Sequence, residues 1–258
     1  MLFLDSISMK DPVSGGDEYP FSVPALRNIE RLRFKTPITF FAGDNGSGKS
    51  TLLEGLAAGM NAYAIGAHGQ VSSDVYLQHA GTVANAFYFA RKKYPKVRMF
   101  MRAEDVLGYV RQLNEERLDD FRWERELALK KGQDFPEETP ETFRRIVRTN
   151  PIDRRSHGEG FIDIMQQRLH GAGLYFLDEP ESPLSPQKQL QLAEIIRQTA
   201  ESGAQLIVAT HSPVLLAIPE ATIYNFSEAG IHERLYDELE NIQFLRRFMD
   251  RPGRYMED

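Results

Sequence analysis

Apolar residues gather into short runs that alternate with amphipathic stretches along most of the chain. Ile38–Ala42, Leu174–Leu177 and Gln205–Thr210 are bounded by glycine, proline or acidic residues, the pattern of strands buried on both faces. Between such runs, Leu52, Leu53, Leu56, Ala57 and Met60 recur at helical spacing, and so do Phe161, Ile162, Ile164, Met165 and Leu169. Ser185 followed by Pro186 marks a helix start, and that helix runs to about Glu201 with Gly203 behind it. Thr222–Phe226 and Ile231–Leu235 are strand-like, and a helix is expected from about Tyr236 to Met249. At the other end, Leu2–Leu4, Ile7–Met9, Phe21–Leu26 and Ile29–Phe34 are further strand material, interrupted by a turn-rich loop over Asp11–Pro20.

The middle is looser. Asn61–Ser73 has the composition of a loop, Ala80–Tyr94 has helical character, and Val97–Met101 patterns as a strand. Asp105–Lys131 is a long charged helix whose apolar stripe is Val106, Leu107, Val110, Leu113, Leu118, Phe121 and Leu127. Gly132–Pro140 breaks it. Strands alternating with helices predict an α/β fold with an open, mainly parallel sheet, antiparallel strands near the N-terminus and a helical insert over about 80–160. A chain of 258 residues accommodates this as one domain, 1–258.

Composition narrows the picture modestly. The net charge of −6 argues against a generally basic nucleic-acid binder. Locally, Arg91–Arg102 holds six basic residues and no acidic one, and Arg144, Arg145, Arg148, Arg154 and Arg155 form a second cluster. Such runs are solvated helix faces or a surface for DNA or a protein partner. The absence of cysteine excludes disulfides and thiolate metal sites and fits a reducing compartment. No apolar run approaches bilayer length, and MLFLDSISMK lacks the basic region of a secretory signal, so a cytoplasmic location is expected.

The chemistry concentrates at strand ends. Ile38–Ala42 leads into Gly43-Asp44-Asn45-Gly46-Ser47-Gly48-Lys49-Ser50, then a helix: strand, glycine loop, helix, the context of a phosphate-binding P-loop. The glycines let successive N–H groups face one anion, and the helix start adds its dipole. Lys49 would reach the β- and γ-phosphates of ATP, and Ser50 would ligate Mg²⁺, with Asn45 and Thr51 in the same stretch. A second buried strand ends in Asp178-Glu179, where Asp178 can hold Mg²⁺ beside Ser50 and Glu179 can polarise the attacking water. A third ends at His211, which could reach the γ-phosphate side of the same crevice. Tyr19 or Phe21 could stack on adenine.

GDNGSGKST, SHGEG, LYFLDEPE and ATHSP together resemble the ABC-type ATPases, and more narrowly small bacterial AAA/ABC ATPases akin to SMC and RecF-like heads. The resemblance implies a P-loop NTPase fold and a head-to-tail homodimer sandwiching two ATP molecules. In it Ser156, Gly158 and Glu159 take the place of the ABC signature facing the partner's nucleotide. Glu179 matches the catalytic glutamate and His211 the switch histidine. Three departures stand out: His157 replaces a signature glycine, Ser185 stands where an aspartate is common, and no Q-loop glutamine follows Val97–Met101. Arg102 or Glu104 could sit near the metal or the γ-phosphate, and which residue replaces that glutamine is left open. The expected activity is Mg²⁺-dependent ATP hydrolysis coupled to dimerisation. A nucleotide-gated DNA clamp, the ATP-binding subunit of a transporter, and an effector ATPase working with a separate nuclease are the alternatives.

Overall fold

The computed structural model describes residues 2–10, 18–65, 70–73, 77–142 and 157–256. The apolar runs become ten strands among these residues: β1 (Leu4–Met9), β2 (Arg31–Arg33), β3 (Ile38–Gly43), β4 (Tyr63–Ala64) and β5 (Phe87–Arg91), followed by β6 (Val97–Arg102), β7 (Gly173–Asp178), β8 (Gln205–Ala209), β9 (Thr222–Ser227) and β10 (Gly230–Glu233). The helices are α1 (Pro24–Arg27), α2 (Lys49–Gly59), α3 (Gln78–Ala86), α4 (Ala103–Lys130), α5 (His157–Arg168), α6 (Pro186–Glu201), α7 (Pro213–Leu216) and α8 (Glu240–Asp250).

The central sheet has the order β10-β9-β3-β8-β7-β6-β4. Every pairing in it is parallel except β10 with β9. Successive side chains on a strand point to opposite faces, so each central strand feeds two cores. Phe41, Phe100, Phe176 and Ile207 pack with α2 on one face; Phe40, Met101, Leu177 and Val208 pack with α5 and α6 on the other. With both faces covered, no polar alternation is needed, which explains the continuous apolar runs. Each such fully buried side chain contributes about 2 kcal/mol.

The antiparallel sheet β2-β1-β5 lies over the α2 face. Gln205, fully buried on β8, fastens it there. Its Oε1 accepts from the amides of Phe3 (2.7 Å) and Leu4 (2.9 Å), and its Nε2 donates to the Leu4 carbonyl (2.9 Å). Helix α2 meets the second layer at glycine: a Cβ on Gly59 would stand 2.1 Å from the Phe89 ring of β5.

Several expectations need correction. Phe21–Leu26 is not a strand: Pro24 opens α1, its fixed φ suiting a first helical turn. Ala80–Tyr94 is helical only to Ala86, after which the aromatic run Phe87–Phe89 joins β1 as β5. The insert over about 80–160 therefore supplies a strand to each sheet, β5 and β6, before α4 begins. In α4 Val106 is buried, but Leu127 is exposed and Ala128 takes the inward place. The side chains of Leu107, Val110 and Leu113 lie outside what the structure describes. Ser185 sits at the N-cap of α6 without a side-chain capping bond. Helix α8 starts at Glu240, after a 3₁₀ turn at Tyr236–Glu238.

Most of the first basic cluster is engaged internally. Arg91 donates to the Gly59 carbonyl (2.7 Å), Lys92 pairs with Asp5 (2.7 Å), and the Arg98 guanidinium lies 4.5 Å from the Tyr94 ring centre. The second cluster, Arg144 to Arg155, lies outside the described residues. Among the described residues, no helix is long and apolar enough to cross a membrane.

Candidate active site

Parallel pairing brings the candidate residues to one edge of the sheet. Gly43 ends β3 opposite Phe226, Asp178 ends β7 opposite Ala209 of β8, and Arg102 ends β6 opposite Asp178. Ligands of open parallel sheets bind beyond this carboxyl edge.

At Gly43 the chain leaves β3 with φ +135°, and a Cβ there would stand 2.4 Å from the Phe226 carbonyl oxygen. Only glycine fits. Helix α2 begins after Gly48 with no side chain capping it, so its first amides have no intrahelical or capping partner. Lys49, 4% exposed, arches back over the loop; its Nζ donates to the carbonyls of Gly43 and Asp44, both at 2.8 Å. Burial lowers the Lys49 pKa against the opposing pull of Glu179 and Asp178. Ser47 Oγ is buried without a hydrogen-bond partner, and nothing lies within 4 Å of where a Cβ on Gly46 would stand. A free hydroxyl, uncapped helical amides and a buried ammonium fit a polyphosphate. The loop borders a cleft of about 550 Å³ lined by Asp44, Asn45, Gly46, Ser47 and His211. Thr51, one residue beyond Ser50, shares a 2.8 Å hydrogen bond with the Tyr19 hydroxyl. Tyr19 is half exposed and meets His79 edge-on at 4.5 Å, on the α2 side of the loop.

Across Ser50 lies a second cleft, of about 410 Å³. Ser50 Oγ donates to Asp178 Oδ1 at 2.8 Å, setting a hydroxyl and a carboxylate side by side. Burial pushes the Asp178 pKa up to about 6, against the Ser50 hydrogen bond and the Arg102 charge. Arg102 Nε stands 3.6 Å from Asp178 Oδ2; its Nη2 is bonded to Glu54, and its Nη1 is 3.9 Å from Glu104. Burial opposes the Arg102 charge, yet Glu54, then Asp178, raise its pKa. Adjacent hard oxygens from Ser50 and Asp178 suit Mg²⁺. Among the described residues no three His, Asp or Glu groups converge as a metal cage.

Glu179 and His211 sit where the two clefts meet. Glu179 has φ +44°, a left-handed conformation costing about 1 kcal/mol in a non-glycine residue. Its amide donates to the Ala209 carbonyl at 2.9 Å, which fixes the strained turn. Its Oε1 lies 3.7 Å from His211 Nε2, a buried nitrogen without a hydrogen-bond partner. Burial, and then Lys49, depress the His211 pKa, so the ring is neutral at pH 7.

Glu181 builds the turn that presents His211. Its Oε1 accepts from Thr210 Oγ1 (2.6 Å), the His211 amide (2.7 Å) and the Ser212 amide (3.1 Å). Ser212 Oγ in turn caps α7 by accepting from Val214 and Leu215, and donates to Gln189 Oε1 at 2.7 Å. The sequence reading missed Glu181, Thr210, Gln189 and Glu54. Two signals were available: Glu54 stands one helical turn after Ser50, and Glu181 belongs to the DEPE run.

Of the signature residues, Ser156 lies outside the described residues. Gly158 and Glu159 occupy the first turn of α5, where Glu159 is 3.6 Å from Lys188 of α6. Glu159 is not among the described residues that line either cleft.

Comparison with known proteins gives three findings. The family model described as "AAA domain, putative AbiEii toxin, Type IV TA system" matches residues 160–217, a segment carrying Leu174–Glu181 and Ala209–Pro213. No curated protein matches the chain. Similar solved structures include an ATP-binding cassette of an ABC transporter in its ADP conformation, 14% identical over 100% of both chains with a TM-score of 0.48. Another is the SMC head domain from Thermotoga maritima, 12% identical over 91% of this chain and 99% of that one, with a TM-score of 0.45. The chain's motifs resemble those of the ABC-type P-loop ATPases, and the family match is confined to residues 160–217.

Proposed function

We propose that this chain is a Mg²⁺-dependent ATPase that closes on ATP as a head-to-tail homodimer. The observation that carries the reading is the approach of Glu179 and His211 to 3.7 Å, beside Lys49 and next to the Ser50–Asp178 pair. Lys49 exchanges the Gly43 and Asp44 carbonyls for β- and γ-phosphate oxygens, helped by the free amides of α2. Ser50 and Asp178 hold Mg²⁺, which when bound supplies charge neutralisation of the phosphates. Glu179 accepts a proton from the attacking water, its half-exposed carboxylate lining the metal-side cleft 3.7 Å from His211, which lines the other. The neutral His211 ring donates to the γ-phosphate and positions it.

Two features support dimerisation. His211 and Ser47 face an open cleft, and Glu159, in the first turn of α5 where the resemblance places the signature, is not among the described residues that line it. A second copy supplies that helix start and completes the anion site, so ATP favours association and hydrolysis releases it. The setting is a soluble, cytoplasmic one.

The test uses Glu179→Gln protein with ATP and Mg²⁺, its mass measured by light scattering. A dimer with ATP and a monomer with ADP is the expected result, together with a turnover drop of about 10³. A monomer at saturating ATP would overturn the sandwich. Wild-type turnover no higher than that of Lys49→Ala would overturn the ATPase reading altogether.

A further inference from the structure

We infer that Arg102 is the resident counter-cation of the metal-side cleft, so that a divalent cation enters only with nucleotide and only by taking Asp178 from it. The inference rests on the ATPase reading above and specifies who occupies the metal side before nucleotide arrives.

The cleft is lined by Glu54, Glu104, Asp178 and Glu179, with Arg102 as the cation among its lining residues. Parallel register fixes that cation in place: Arg102 pairs with Asp178 across β6 and β7. The side chains of Arg102, Glu54 and Asp178 are 19%, 12% and 10% exposed, so their mutual attraction is poorly screened. The two partnerships are unequal. Nη2 is hydrogen-bonded to Glu54 on α2, whereas Nε stands 3.6 Å from Asp178 Oδ2, an ion pair beyond hydrogen-bond length. Ser50 holds the other oxygen, Oδ1. Arg102 can thus release Asp178 while staying anchored on Glu54.

This arrangement sets metal affinity by charge. With Arg102 present, a bare divalent cation meets a carboxylate already compensated and a positive charge beside it. A cation carried by nucleotide brings phosphate charge that offsets that repulsion. Glu54 works in the same direction as metal, because it draws the guanidinium away from Asp178. Removing the two residues therefore has opposite effects.

Mn²⁺ binding with ADP present, followed by electron paramagnetic resonance, reads this without turnover. Arg102→Gln is expected to bind Mn²⁺ about tenfold more tightly than wild type, and to bind it measurably without ADP. Arg102→Lys should stay near wild type, and Glu54→Gln should weaken binding severalfold. Unchanged or weaker Mn²⁺ binding in a folded Arg102→Gln protein would overturn the inference and leave the ATPase reading intact. Wild-type protein that binds no more Mn²⁺ with ADP than Asp178→Asn would overturn both.

Discussion

The two clefts flanking Ser50 are built in opposite ways. The phosphate-loop cleft takes its shape from consecutive backbone, Gly43 to Ser47, with Lys49 folded back onto it. The metal-side cleft is assembled from α2, β6 and β7, and its character is a balance between carboxylates and one guanidinium. In the first, one glycine or one lysine decides the site, because local backbone does the rest. In the second, position is settled by strand order, and the outcome depends on which charges face each other. Substitutions should therefore act as losses on the loop side and as shifts on the metal side.

The largest expected effect is on the loop side. Lys49 makes two 2.8 Å hydrogen bonds to the loop and is the buried positive charge that the proposed function sets against the phosphates. Lys49→Ala should lower ATP affinity by more than about 100-fold, since a charge-assisted contact is roughly twice as strong as a neutral one. Calorimetric titration at fixed ionic strength measures it. Binding within threefold of wild type would show that the loop cleft does not hold the phosphates, and the contrast between the clefts would lose its basis.

The same contrast explains what the sequence made legible. Gly43, Lys49, Ser50, Asp178 and His211 stand out as candidates because each belongs to a short local pattern, and the sheet brings them to one carboxyl edge. The continuous apolar strands and their alternation with helices likewise announced a sheet buried on both faces. Glu54 and Arg102 are 48 residues apart and meet only because β6 lies next to β7, with α2 packed across. No local pattern encodes that meeting. Glu181 was hidden for a different reason: its neighbours Asp178 and Glu179 fall in a familiar motif, while its own partners sit 29 to 31 residues on. The helix expected over Ala80–Tyr94 failed where tertiary pairing overrode local character, at the aromatic residues of β5.

On the metal side, Asp178→Asn tests whether the cleft is a charge balance. The folded pKa of Asp178, raised to about 6 by burial, exceeds its unfolded value near 3.8. The native state thus binds more protons than the unfolded state between those values. Stability from this group is fully present below pH 3.8 and is lost as pH rises through about 6. Above that, ionised Asp178 costs the protein about 2 kcal/mol, because each pKa unit is worth 1.36 kcal/mol and part is offset by rearrangement. Asparagine can still accept from Ser50 but has no charge to desolvate. Thermal unfolding should therefore show Asp178→Asn more stable than wild type at pH 7.5, by about 2 kcal/mol, with the gap closing towards pH 4. A gap independent of pH would mean that packing, not charge, governs the position.

The smallest effect probes whether the loop side is as local as the comparison makes it. His211 borders that cleft, yet its turn is held by Glu181, whose Oε1 takes three donors while Oε2 is buried without a partner. Glu181→Gln keeps the shape and one acceptor oxygen, but replaces Oε2 with an amide group that needs an acceptor, and it weakens three charge-assisted bonds. Leaving a buried donor unsatisfied and neutralising the acceptor should cost about 1 kcal/mol of stability. The more telling readout is kinetic. If the Glu181 carboxylate holds His211 over the γ-phosphate position, kcat should fall severalfold with KM for ATP little changed, since Lys49 and the α2 amides keep the ground-state contacts. A matching rise in KM would place Glu181 in nucleotide binding instead, and an unchanged kcat would make the loop cleft a product of its backbone alone.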